Sequence, residues 1–592
     1  VNADAKINSV SIGKGANSVA GNTVLGESAL DAAVTGGNNI AIGKTTLTAN
    51  TSGQYNTVVG SLAATTNTIG NYNTVLGGQG LQNNTTGSFN TALGIFSLKN
   101  NTTADNNVGV GAYALNANTT GTDNTATGAN ALDANTTGNY NSAFGTHALS
   151  ANTGGQRNTA LGRGSLSSTT TGSYNVGIGY AALSNQTTTN SNTAVGDYAA
   201  RLTTTGENNT AVGRQSLYSN TTGQRNTTVG ANALYANTTG DYNTSIGYNS
   251  LTANTTADAN TALGYKTLEN NVDGTSNVAV GAYALDANTS ADNNTAVGHA
   301  ALGANTTGSN STAVGSDALL SNTTGVQNNA FGRQALDANT TGNHNNAFGV
   351  NTLGANTTGG SNSGFGRGAL QSNTTASNNT AIGSLALNAN TTGTGNVAVG
   401  SEAFRDNTTG SFSTAIGSLS LFESTTGSGN TALGRRALQE NTTASNNTGA
   451  GIEALRYNTT GTQNTSVGAT ALKQNTTADN NTAVGYAALT ENTTGTQNTA
   501  VGSTSLDANT TGDFNSAFGY DTLGSNTEGN SNTALGYEAM DTNTTGSNNV
   551  AVGKGALDGN TSADHNTAVG YHSLLTNTTG HSNVAVGSTA LD

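Results

Sequence analysis

Asn498-Thr499-Ala500-Val501-Gly502-Ser503-Thr504-Ser505-Leu506-Asp507-Ala508-Asn509-Thr510-Thr511-Gly512-Asp513-Phe514 is one copy of a phrase that decides the fold. Its Gly in fifth place returns every 17 residues from Gly26 to Gly587, with no insertion or deletion, which makes about 34 copies. The consensus is Asn-Thr-Ala-Val-Gly-x-x-Ala-Leu-x-x-Asn-Thr-Thr-Gly-x-x. So short and regular a period is the signature of a solenoid, whose rungs bury their apolar groups only against their neighbours. The expected organisation is an irregular first rung or cap over residues 1–21, followed by one continuous repeat over residues 22–592.

Thr and Val alternate with Asn, Ala and Gly over the first five places, the period-two pattern of a strand. Helix is disfavoured because Gly recurs in every unit and Asn-Thr-Thr-Gly has low helix propensity. The fold class predicted is all-β: a parallel β-solenoid of about 34 rungs, each with two short strands and two corners. The fourth place holds Val59, Leu93, Phe144, Ile246 and Val552 in different copies, and the ninth is Leu almost throughout. These two columns are expected to be the interior ladders. Gly in the fifth and fifteenth places is expected at corners that need positive φ or a close approach of the next rung.

Seven units replace the second Gly by Ala, from Ala104 to Ala563, and Asp or Ser always follows, as in Asp105 and Ser377. This pairing predicts a second turn type held by that side chain. Asn in the first and twelfth places would stack amides about 4.8 Å apart, close enough for hydrogen-bonded ladders. Asn-Thr-Thr also matches a glycosylation acceptor, but glycans at rung spacing would crowd one another. The third place is Ala in most copies and never charged. If it faces away from the fourth, that restriction predicts a second packed face, against another protomer.

Composition excludes several functions. There are 18 Lys and Arg against 32 Asp and Glu, with no basic run, which argues against nucleic acid as a partner. Cys is absent, so disulfides and thiolate metal sites are ruled out. No apolar stretch is long enough for direct membrane insertion of this segment. The start at Val1 and the stop inside a repeat at Asp592 lead us to expect flanking regions.

Residues that break the repeat are the place to look for chemistry. Six His are present, and only His565 and His581 fall near each other on successive units. Without a repeated carboxylate they read as solvated corner residues, so no metal is expected. Asp is too scattered for the calcium-binding nonapeptide. Neither a catalytic triad spacing nor a phosphate loop stands out, so no enzyme activity and no cofactor are expected.

One variable column is suggestive. The sixth place holds Tyr180, Tyr248, Tyr265, Tyr486, Tyr520, Tyr537 and Tyr571, and the last place of early units holds Tyr55, Tyr72, Phe89, Tyr140 and Tyr174. Corner filling is the simpler reading; adhesive contact with a host-surface protein or glycan is the functional one.

Asn8-Ser9-Val10-Ser11-Ile12-Gly13, with later copies such as Asn379-Thr380-Ala381-Ile382-Gly383, resembles the repeated signature of trimeric autotransporter adhesin heads, the YadA-like group. The resemblance implies a left-handed parallel β-roll, a homotrimer, and an extracellular or cell-surface role in attachment. Similar repeats occur in bacteriophage tail fibres and large bacterial surface proteins, so a virion tail-fibre shaft or a self-assembling surface or matrix filament is the alternative. An ice-binding solenoid is a further one, although the usual flat Thr-x-Thr face is not evident.

Overall fold

A computed structural model describes residues 4–592. The chain is a parallel β-solenoid of about 33 turns with a 17-residue repeat and almost no helix. Its contacts divide it at Asn294 into two units. In the first, parallel strands run from Thr23–Gly26 to Val278–Val280; in the second, from Thr295–Val297 to Val584–Val586. Each turn supplies one strand, of three residues in all but the first case, from the second to the fourth place. Register is direct: Thr482 pairs with Thr499, Ala483 with Ala500 and Val484 with Val501.

Residues 1–3 of the expected cap lie outside the described residues. From there β1 (Ala5–Ile7) and β2 (Val10–Gly13) form an antiparallel hairpin, with Ala5 opposite Ile12. β2 then pairs antiparallel with β3 (Thr23–Gly26), Ser11 opposite Gly26. The hairpin therefore occupies the open edge of the first parallel strand, which would otherwise present unpaired backbone groups.

The two faces of the strand are the reverse of the sequence expectation. Ala in the third place points inward and is fully buried, as at Ala483, Ala500 and Ala517. The large fourth residue points outward: Leu76 is 54% exposed, Val467 40% and Phe518 39%. Leu in the ninth place is inside as expected, 0% exposed from Leu30 to Leu557. The reason is volume. Each rung already encloses that Leu, the eighth residue and two Asn side chains, which leaves room opposite for a small group, a methyl in most rungs and at most a Val or Thr. The small, uncharged third column thus records a narrow interior and not an interface between protomers.

The flank from the sixth to the eleventh place forms turns where a second strand was expected. Its seventh and ninth residues are left-handed, as at Thr45 (φ 54) and Leu47 (φ 50). A non-Gly residue pays about 1 kcal/mol for such a conformation. Here it turns successive N–H groups toward opposite neighbours: Thr45 donates to Glu27 on one side (2.8 Å), Leu47 to Ala63 on the other (3.2 Å). The wall is hydrogen-bonded rung to rung without extended geometry, so β-propensity could not reveal it.

Both Asn ladders form. Asn84 donates to Asn67 Oδ1 (2.7 Å) and to Gly87 O (2.8 Å), and Asn101 donates in turn to Asn84 Oδ1 (2.9 Å). In the first place, Asn56 N–H and Nδ2 both donate to Asn39 Oδ1, each at 3.0 Å. Asn84 and Asn101 are fully buried, which closes these acceptors to glycosylation.

The corners use their Gly differently. Gly in the fifth place has positive φ, 144° at Gly502. Gly121, in the fifteenth, does not; a Cβ there would lie 2.4 Å from Gly138 O. Ala104 occupies the same place, also without positive φ, so there is one turn type and not two. Its companion Asp105 reaches across rungs, accepting the N–H of Ser88 at 2.6 Å.

Candidate functional site

Two surfaces follow from this register. The first is the outward sheet face, where the second and fourth places alternate with the buried third. Across all copies neither place ever carries a charge. Thr499 and Val501 face out on one rung, Ser516 and Phe518 on the next, in direct register. Phe331, Phe348 and Phe365 stack along this face, ring centroids 4.7 and 4.9 Å apart. Parallel in-register pairing forces this ladder, because every rung repeats the same phase of the pleat. Sequence reasoning missed the face by assigning its residues to the interior.

The second surface is the turned flank, which carries the sixth, seventh and tenth places and much of the charge. All seven tyrosines singled out in the sixth column are exposed. Neighbouring rings stack: Tyr248 on Tyr265 (5.7 Å, 12°) and Tyr520 on Tyr537 (5.4 Å, 15°). Tyr571 stacks on His572 at 3.8 Å. Stacked rings spend faces on each other, so a ligand meets mainly edges. Tyr180 instead meets Tyr198 edge-on at 5.0 Å. Tyr55, Tyr72 and Phe89 stack in the last column, while Tyr140 and Tyr174 flank Arg157.

Ladders on the flank also perturb carboxylates. Asp133, Asp286, Asp337 and Asp558 occupy the tenth place, and burial raises the pKa of each. Burial, reinforced by Asp521, pushes Asp507 and Asp541 up to about 6. Among the described residues no group of three His, Cys, Asp or Glu could hold a metal ion. His581 serves its rung: its Nδ1 accepts the N–H of Asp564 at 2.9 Å. No described helix is long and apolar enough to cross a membrane.

A cleft of about 380 Å³ opens on this flank where small residues coincide on successive rungs. Gly164 and Ala181 succeed one another in the seventh place, Ser150, Ser167 and Ser184 in the tenth. His147 closes one end, and Arg163 and Tyr180 form a side.

No protein-family model matches the chain, and no curated protein sequence matches it.

Proposed function

We propose that this chain is a segment of a non-enzymatic extracellular fibre of adhesin-like type, in which copies associate along the uncharged sheet face and the charged flank stays open for attachment. The observation that carries this reading is the absence of charge from two outward, half-exposed places in every copy. A solvated strand face accumulates Lys, Glu or Asp, whereas a covered one cannot, because a buried unpaired charge is costly. The flank, equally exposed, carries charges freely. A long apolar face with in-register ladders is also an association hazard unless something covers it. The YadA-like resemblance supplies the homotrimer as the expected assembly and the cell surface as its location; a virion tail fibre or matrix filament would use the same face.

Mass by light scattering tests this. The purified chain should give three times the chain mass, and Val484→Glu with Val501→Glu and Phe518→Glu should reduce it to one, with circular dichroism unchanged. A wild-type particle of one chain would contradict the reading.

One observation favours a second reading. Thr499 and Val501 do share a regular outward face, so a methyl and hydroxyl array suited to ice exists in Thr-x-Val form. Thermal hysteresis by the purified chain would support ice binding, and its absence would remove it.

A further inference from the structure

The cleft over Gly164 coincides with an interruption of the interior. Asn in the twelfth place gives way on three successive rungs to Thr169, Gln186 and Thr203. Buried polar atoms lose their partners at the ends of this break: Asn152 Oδ1 and Thr203 Oγ1 have none. Arg201 Nε, on the same rung as Thr203, has none either. Each such group is buried at a cost in folding free energy. The twelfth-place ladder thus breaks over three rungs here, two of which also line the cleft, the kind of local inconsistency found at functional sites.

The lining has a definite chemistry. A Cβ on Gly164 would meet nothing within 4 Å, so the space is open where other rungs carry a side chain. Arg163 has no carboxylate partner among the described residues, and its nearest polar contact is Tyr180 Oη at 3.5 Å. Tyr180 is 39% exposed. The hydroxyls of Ser150 and Ser167 donate only long bonds to carbonyls, at 3.4 and 3.5 Å, which leaves them able to bond a ligand. Together these are a guanidinium for an anion, an aromatic flank for an apolar ring face, and hydroxyls for polyol groups.

We propose that this cleft binds an acidic sugar, its ring against Tyr180 and its carboxylate on Arg163. The inference rests on the attachment reading above and gives it a ligand class. Saturation-transfer NMR on the full chain, with glucuronic acid and glucose as probes, tests it. Gly164→Gln fills the cleft with a residue that Gln215 and Gln334 already place in the same left-handed column, so folding is retained. Arg163→Ser removes the anion partner. Glucuronic acid should bind the wild type about tenfold more tightly than glucose and about tenfold more tightly than it binds either variant, each factor worth about 1.4 kcal/mol. Equal signals from the two sugars, or binding unchanged by Gly164→Gln, would overturn the proposal. Failure here leaves the light-scattering test of assembly untouched, so the two readings can fall separately.

Discussion

Val75 and Gly80 share one space: a Cβ on Gly80 would lie 2.7 Å from Cγ1 of Val75. The same exchange recurs elsewhere. Opposite Gly109 stands Ser97 Oγ, 2.5 Å from the missing Cβ, and opposite Gly364 stands Thr352 Cγ2, at 2.6 Å. In these rungs the third and eighth places therefore share one interior space. Gly80→Ala should destabilise its rungs by about 1–3 kcal/mol through overpacking. Adding Val75→Ala should restore them, as read by hydrogen exchange around residue 75. A double variant no more protected than Gly80→Ala would contradict this sharing.

Periodicity alone revealed the solenoid, the 17-residue register, the Leu column and the Asn ladders, because each repeats in every copy. It misassigned Val501 and Ala500. Alternation says that the two point oppositely but not which is inside, and side-chain size alone favours Val there. Val75 with Gly80 in its own unit was one available signal, since an outward Val would not crowd the eighth place. The flank was illegible for another reason: Thr45 and Leu47 adopt left-handed conformations that their residue types do not announce. Arg163 and Gly164 were passed over because neither stands out in its own column. The coinciding run of Thr169, Gln186 and Thr203 was the signal that could have found them.

Leu336 and Gln334 test the inside and outside of the flank. Leu336 is fully buried, Gln334 is half-buried, and Asn351 holds the Gln334 place one rung on. Leu336→Ala should cost about 2–5 kcal/mol and loosen adjacent rungs, while Gln334→Asn should be nearly silent. Protease susceptibility that rises equally for both would contradict the assignment.

Ser424 interrupts the twelfth-place ladder, and Asn407 Oδ1 and Ser424 Oγ are both left without partners. Ser424→Asn would offer a donor to Asn407 and an acceptor to Asn441. It should therefore stabilise the neighbouring rungs by about 1 kcal/mol. Destabilisation in denaturant titrations would show that the ladder cannot be extended here.

Asp541 makes stability depend on pH. Burial first, then Asp521 and Asp558, raises its pKa from 3.8 to about 6. Between those values the folded chain keeps a proton that the unfolded chain has released. Stability therefore falls as pH rises through this window, and the loss is complete above it. Asp541→Asn should stabilise the chain at pH 7 by about 1 kcal/mol, discounted for solvent screening, and change little at pH 4. An equal effect at both pH values would contradict the raised pKa.

In the proposed assembly other copies of the chain cover the outward Val column and leave the flank free. Since the chain has no Cys, single substitutions give clean probes. Val501→Cys lies on the sheet face and Tyr486→Cys on the flank, where Tyr486 is 63% exposed. Maleimide labelling of the assembled protein should modify Tyr486→Cys rapidly and leave Val501→Cys protected until the assembly is dissociated. Rapid labelling of Val501→Cys in the undissociated protein, at the rate seen for Tyr486→Cys, would contradict the account.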